Sequence, residues 1–191
     1  MAFGFIHDTV FEAKTFSSID INNIDFENCT FKNCDFTQVA MQSVAFIECN
    51  FYNCNFKESK INYASFRDVW FHDCNFTSVN FAMVDQFIYN FNFKNCLLDY
   101  AQFYKLKLKK IEFIDCSMVS VDFMETNLEE AVFNNCNLRL AVFIDSNLQK
   151  ADFATSHNFS IDPEKNKLKK AIFSQENIRG LLDKYEIIIR N

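Results

Sequence analysis

From Phe11 onward an apolar side chain returns at every fifth residue. The first run is Phe11, Phe16, Ile21, Phe26, Phe31, Phe36, Met41, Phe46, Phe51, Phe56, Ile61, Phe66, Phe71, Phe76 and Phe81. The phase then slips by two residues. A second run follows at Phe93, Leu98, Phe103, Leu108, Phe113, Met118, Phe123, Leu128, Phe133, Leu138, Phe143, Leu148 and Phe153. All 28 positions are apolar in a chain that is 49% apolar, and with Phe173 they hold 20 of its 25 phenylalanines, so chance is no competitor. The residue two before each centre is small or β-branched, as at Ala64, Val69, Ala101, Val121 and Ala131, and all eight cysteines fall there: Cys29, Cys34, Cys49, Cys54, Cys74, Cys96, Cys116 and Cys136. The residue just before the centre is often Asp or Asn, as at Asp35, Asn55, Asp122 and Asn137, and the two after it are mostly polar.

A period of five fits neither the helix at 3.6 nor the strand at 2. It requires a chain that turns a corner every five residues, with two side chains of each unit pointing inward. Four units close a square coil, and coils stacked at about 4.8 Å satisfy the backbone through parallel ladders. Residues 20 apart must then match in type. They do: Phe93, Phe113, Phe133 and Phe153 form one ladder, Phe103, Phe123 and Phe143 another, and Leu108, Leu128 and Leu148 a third, with Ile21, Met41 and Ile61 a fourth. The cysteines fall into the ladders 29/49, 34/54/74 and 96/116/136. The expected fold class is all-β, a four-sided β-helix over residues 1–173.

Two stretches break the lattice. Over 83–92 the centre position holds Gln86, and Phe87, Ile88, Phe91 and Phe93 overlap two phases, which predicts a two-residue bulge. Over 156–167, Asn158 and Pro163 occupy centre positions and Phe159 is displaced, which predicts a loop before a last partial coil at Leu168, Ala171 and Phe173. Residues 174–191 read differently. Ser174 is a helix N-cap, Glu176 lies in the first turn, and Ile178, Leu181, Leu182 and Tyr185 follow helical spacing, with Ile187, Ile188 and Ile189 as a short strand. The end of a β-helix exposes unpaired edge groups that a terminal element covers. The tail is therefore read as a cap, or as a cap that also dimerises through these seven apolar residues.

Composition narrows the chemistry. Gly4 and Gly180 are the two glycines, so no glycine-rich phosphate loop can be written, and with one proline few conventional turns are expected. No stretch approaches the roughly twenty apolar residues that span a bilayer. The first fourteen residues lack the basic and apolar regions of a signal peptide, and with eight cysteines this points to reduced thiols in the cytoplasm. Cys29/Cys34 and Cys49/Cys54 mimic the outer limit of zinc-ligand spacing, but the lattice accounts for all eight cysteines as inward packing. His7, His72 and His157 are far apart, and a rod with a filled interior offers no catalytic cleft. No catalytic residue, metal or cofactor is expected, and no enzyme activity.

The A/C-D/N-L/F-x-x unit, with Phe mostly in place of Leu, resembles the pentapeptide-repeat family over about residues 11–175. The resemblance implies the right-handed quadrilateral β-helix of that family. The order Ile161, Asp162, Pro163, a basic stretch, Leu168, an amphipathic helix and a terminal aliphatic strand is similar to the C-terminus of Qnr-type quinolone-resistance proteins and the microcin immunity protein. Those proteins protect type II DNA topoisomerases and form rod-shaped dimers through this tail. The resemblance implies DNA gyrase or topoisomerase IV as partner, no direct contact with nucleic acid or membrane, and a C-terminal homodimer.

Outward charge is uneven: residues 1–100 hold 12 acidic and 6 basic side chains, so the formal net charge of −6 sits in that half. Position +2 of the unit carries Glu48, Asp68 and Asp73, and a stiff rod with regularly spaced carboxylates can imitate the charge line of duplex DNA. The plain alternative is ordinary surface solvation. With the bulge residues Gln86, Phe87 and Tyr89, these acids form the candidate partner surface, since recognition on repeat scaffolds sits at irregularities. Lys105, Lys107, Lys109 and Lys110 make a basic coil edge, with Lys110, Glu130 and Lys150 stacked in alternating sign. Two functions remain open: a topoisomerase-binding resistance protein, and a scaffold whose partner is unrelated to DNA.

Overall fold

The computed structural model describes residues 4–87 and 89–188. The chain winds into a parallel four-sided β-solenoid. One face is a four-stranded parallel sheet of Gly4–His7, Ile24–Glu27, Ala45–Ile47 and Ser65–Arg67. The next is a seven-stranded parallel sheet of Val10–Glu12, Thr30–Lys32, Asn50–Tyr52, Val69–His72, Phe91–Lys94, Glu112–Ile114 and Val132–Asn134. The third and fourth faces are single-residue bridges such as Asp35↔Asn55 and Gln102↔Asp122.

Each five-residue unit bonds to the coils on both sides. Around Phe123, the Asp122 N–H donates to the Ala101 carbonyl at 3.0 Å, while the Phe123 and Glu125 N–H groups donate to Val142 and Ile144 at 2.9 and 2.8 Å. Corners are made without glycine. Glu48, Asn53, Asp68, Lys110, Glu130 and their counterparts at position +2, except Ser18, Met83 and Thr155, take φ between 49° and 64°, and neither glycine has positive φ. The scarcity of glycine therefore does not mean a scarcity of turns. Asn and Asp tolerate this left-handed region because their side chains bond locally, and at Glu, Lys, Tyr and Leu positions the flanking ladders hold the geometry.

Inward rings fill the bore. Phe31 and Phe51 stack with centroids 4.5 Å apart, as do Phe36 and Phe56, while neighbours on adjacent faces meet edge to face, as Phe31 and Phe46 do at 5.6 Å. Both arrangements are favoured by the ring quadrupole. All eight cysteines are free and buried beside the rings.

The slip near residue 86 is a local insertion of two residues. Partners 20 apart before it become partners 22 apart across it, as Phe71↔Phe93, Asn75↔Leu97 and Asn80↔Gln102, and 20 apart again after it. The expected ladders 34/54/74 and 96/116/136 are thereby one continuous column. The thiol of Cys74 donates to the Phe51 carbonyl 23 residues back, and that of Cys96 to the Phe71 carbonyl 25 back.

The tail departs from the expected α-helix. Residues Ile178–Leu181 and Asp183–Tyr185 form two 3₁₀ turns, with Asn177 rather than Ser174 at the N-cap position. The Gly180 carbonyl accepts from the Ile161 N–H at 2.9 Å, which takes it out of any α-helical ladder. Gly180 lies against Phe159 so closely that a Cβ would fall 2.3 Å from the Phe159 carbonyl oxygen. The Asn177 amide closes the last coil, donating to the carbonyls of Phe153 and Ser156 at 2.7 and 3.0 Å. Ile187 and Ile188 are in no strand, and Ile189 lies outside the described residues.

Phe123 is fully buried, with rings of Phe103 and Phe143 stacked 5.2 Å to either side. Phe123→Ala should lower stability by about 3–5 kcal/mol, the cost of an unfilled aromatic site. Lys109→Ala, on an exposed ion pair, should cost less than about 1 kcal/mol. Denaturant midpoints that fell equally for both would overturn the inside–outside assignment.

Candidate functional site

The two-residue insertion sits on the first face. Asp85 bonds through its N–H to the Ala64 carbonyl, and Asn90 to that of Phe66, so both ends of the loop lie over the strand Ser65–Arg67. Beyond them the same face continues through Lys107, Asn127, Asn147 and Lys167. The loop thus replaces one sheet layer in the middle of this face.

Most of the candidate partner residues gather here. Glu48 and Asp68 are one coil apart at the same corner, in a column that begins with Asp8 and Asn28. Asp8 accepts from His7 and Asn28, which holds its carboxyl below the usual range. Asp68 accepts from Asn90 at 2.9 Å, which ties the acidic column to the loop. Gln86 is exposed and donates to the Ala82 carbonyl at 3.1 Å. Phe87 projects with 87% of its surface exposed, its N–H held by Asp85 at 3.0 Å. An aromatic ring so exposed on a fold that buries nearly every other Phe is not explained by packing.

Tyr89 points the other way. Its ring packs against the core beside Phe91, and its hydroxyl accepts the Lys107 N–H at 2.6 Å. The Lys107 N–H would otherwise bond to a carbonyl of the coil before it, so Tyr89 repairs the ladder where the loop interrupts it. Burial raises the Tyr89 phenol. Tyr89 positions the loop and is not an exposed contact. Asp73 lies around the next corner on the second face, where it accepts from Asn95. Sequence reasoning missed Asp85 and Asn90. Their signal was the spacing of 42 between Phe66 and Leu108, two coils plus two residues.

The lower half of the first face, the half that follows the loop, carries an ion-pair cluster around Glu129 and Glu130. Lys150 lies 2.9 Å from Glu130, and Lys109 lies 3.2 Å from Glu129; the Lys150 ammonium holds the Glu130 carboxyl below its usual range. The expected alternation of Lys110, Glu130 and Lys150 is present.

Tail residues divide into two groups. Leu181 packs on the core, Leu182 is half-buried, and the Tyr185 hydroxyl donates to Glu164 at 3.1 Å. Ile178, Ile187 and Ile188 keep 48%, 56% and 85% of their surface exposed, and Tyr185 keeps 54% despite its hydroxyl bond, so packing withdraws Leu181 and Leu182 from the apolar surface that helical spacing implies.

The cysteine column offers no ligand set. The thiols of Cys34, Cys54, Cys74, Cys96 and Cys136 donate to carbonyls at 3.2–3.7 Å. Thr126, Ser146 and Ser156 occupy the same position of the unit and donate in the same way. Burial pushes the Cys49 thiol up to about 12, and no cluster of three or more His, Cys, Asp or Glu able to hold a metal is found among the described residues. No helix among them is long and apolar enough to cross a membrane.

A family model described as pentapeptide repeat region matches residues 24–103 and 87–159. A trypsin-treated variant of QnrB1, a plasmid-mediated fluoroquinolone resistance protein, aligns at 19% identity and TM-score 0.56, over 98% of this chain and 100% of the other. Full-length QnrB1 aligns at 16% and 0.44, over 96% and 100%. HetL, a pentapeptide repeat protein involved in heterocyst differentiation regulation in the cyanobacterium Nostoc, aligns at 12% and 0.46, over 91% and 87%. At these identities the likeness is one of fold. No curated protein matches the sequence.

Two measurements test these assignments. Tyr89→Phe should lower stability by about 1–2 kcal/mol and speed hydrogen exchange at the Lys107 amide, because one donor loses its partner; unchanged exchange there would remove Tyr89 from the ladder. All eight thiols should resist alkylation until denaturant is added, and native labelling of several would contradict inward packing.

Proposed function

The chain belongs to the pentapeptide-repeat family, and from that premise we propose that it is a non-catalytic binding protein that engages a type II DNA topoisomerase and protects it from quinolones or a peptide toxin. The observation that carries this reading is the acidic column of Asp8, Asn28, Glu48 and Asp68 running into a loop that projects Phe87. Three carboxylates over four coils spaced about 4.8 Å apart are of the same order as one phosphate per 3.4 Å along a DNA strand, so the column suits a basic DNA-binding surface. Phe87 would supply the apolar anchor that a carboxylate row lacks, and aromatic anchors dominate binding energy at protein interfaces. Glu48, Asp68, Gln86 and Phe87 contact the partner in this reading, Asp73 lies at its edge, and Tyr89 acts by positioning. Tail-to-tail pairing through Ile178, Ile187 and Ile188 belongs to the same proposal, as does a cytoplasmic setting. It rests on exposed apolar surface at the rod end, which a twofold contact would cover.

The second reading, a scaffold with a partner unrelated to DNA, is favoured by the lysine-rich lower half of the same face. One fold hosts many functions, so the site must decide.

A DNA gyrase supercoiling assay with ciprofloxacin separates the two. The protein should restore supercoiling in a concentration-dependent way. Phe87→Ala and Asp68→Lys should each raise the concentration needed by about tenfold or more, with melting temperatures unchanged. Neither rescue nor inhibition over a broad concentration range would leave the scaffold reading in place.

A further inference from the structure

The first face carries opposite charge in its two halves. Before the loop its outward residues include Asp8, Asp25, Glu27, Glu48 and Asp68, against Arg67. After the loop they include Lys107, Lys109, Lys110, Lys150, Lys167, Lys169 and Lys170, against Glu129 and Glu130. The two glutamates are engaged by Lys109, Lys110 and Lys150, whereas Lys107, Lys167, Lys169 and Lys170 have no ion-pair partner among the described residues.

The halves are also equal in length. Four layers precede the loop, at 5–8, 25–28, 45–48 and 65–68, and four follow it, at 107–110, 127–130, 147–150 and 167–170. We infer that this face takes a second copy of the chain, the two rods antiparallel and related by a twofold axis running across the face at the level of Phe87. Such an axis sets each layer of one half against the layer at equal distance in the partner's other half.

In that register Asp68 meets the layer of Lys109 and Lys110, Asp25 and Glu27 meet that of Lys150, and Asp8 meets that of Lys167, Lys169 and Lys170. Glu48 faces Glu129 and Glu130, a like-charge contact that the three lysines bound to those glutamates offset. Arg67 beside Lys109 is the other mismatch. At the axis each Phe87 faces its own copy, and two exposed rings leave water together. An isologous contact needs one patch that complements itself, and this face has both signs at matching distances from its middle.

A second copy fits better than a polyanion. Nucleic acid would use the lysines but be repelled by the acidic half of the same flat face, whereas a second copy uses both. Eight layer spacings of about 4.8 Å give a face roughly 40 Å long, and with a width of roughly 15 Å each copy buries about 600 Å². That is below the roughly 800 Å² per partner of standard interfaces, so the contact should be reversible, in the micromolar range and weakened by salt. It covers Glu48, Asp68 and Phe87, so it would compete with the partner proposed above, but the inference stands apart from that reading and its test contains no topoisomerase.

The test is sedimentation equilibrium in an Ile187→Asp/Ile188→Asp background, which removes tail pairing. A dimer should form at about 50 mM salt and weaken at least tenfold by about 500 mM. Lys150→Glu/Lys167→Glu/Lys169→Glu/Lys170→Glu and Asp8→Lys/Asp25→Lys/Glu27→Lys should each be monomeric, and an equimolar mixture of the two should dimerise, since in both outer layers each restores what the other lost. The salt series on the unreversed face needs no charge variant and holds even where one fails to fold. A monomer at low salt up to about 100 μM, association indifferent to salt, or a mixture that stays monomeric would overturn the inference. So would a monomer at low salt that instead binds a duplex oligonucleotide through the lysine half.

Discussion

Everything in this molecule depends on one residue in five holding a left-handed backbone conformation without being glycine. Each such residue turns the chain through a corner and delivers the next two inward side chains to the bore. An isolated non-glycine residue there is disfavoured by about 1 kcal/mol or more. The cost is met by the ladders to both neighbouring coils and by ring stacking at the coil spacing, neither of which forms unless the corner does. Corner, ladder and bore therefore stand or fall together, and the phenylalanines report the corners indirectly. Asn and Asp at the corners add side-chain ladders of their own, as from Asn53 to Asn33 and from Asn135 to Asp115.

This interdependence explains what was legible in the sequence. Inward positions were readable because their type repeats every five and every twenty residues, and buried Phe, Leu, Cys and Ala leave no ambiguity about which way they face. The bulge at 83–92 was readable as a phase slip. Its content was not: Gln86, Phe87 and Tyr89 look alike as non-repeating residues, and only the structure separates the projecting Phe87 from Tyr89, whose hydroxyl completes a backbone ladder. The corner acids were placed by counting, but Asp73 turned out to be around the corner from Glu48 and Asp68.

The tail was the least legible part, for a physical reason. Ile178, Leu181, Leu182 and Tyr185 have helical spacing, and spacing is all that local sequence offers there. The 3₁₀ turns arise from contacts with distant segments, Gly180 against Phe159 and Asn177 against the last coil. Those are tertiary constraints that override a periodic pattern. Likewise, the opposite charges on the first face could be counted in the sequence, but that they share one face required knowing where the two inserted residues go.

The insertion behaves as a stacking fault does in a crystal. One layer is faulted, the lattice on either side is undisturbed, and the displacement across it is a fixed vector of two residues. The cost of such a fault lies in its own layer, because each coil touches only its immediate neighbours. Residues 85–90 can therefore change in length and composition while both halves of the rod keep their stacking, provided the chain re-enters at Phe91 and a group in the place of the Tyr89 hydroxyl heals the broken rung.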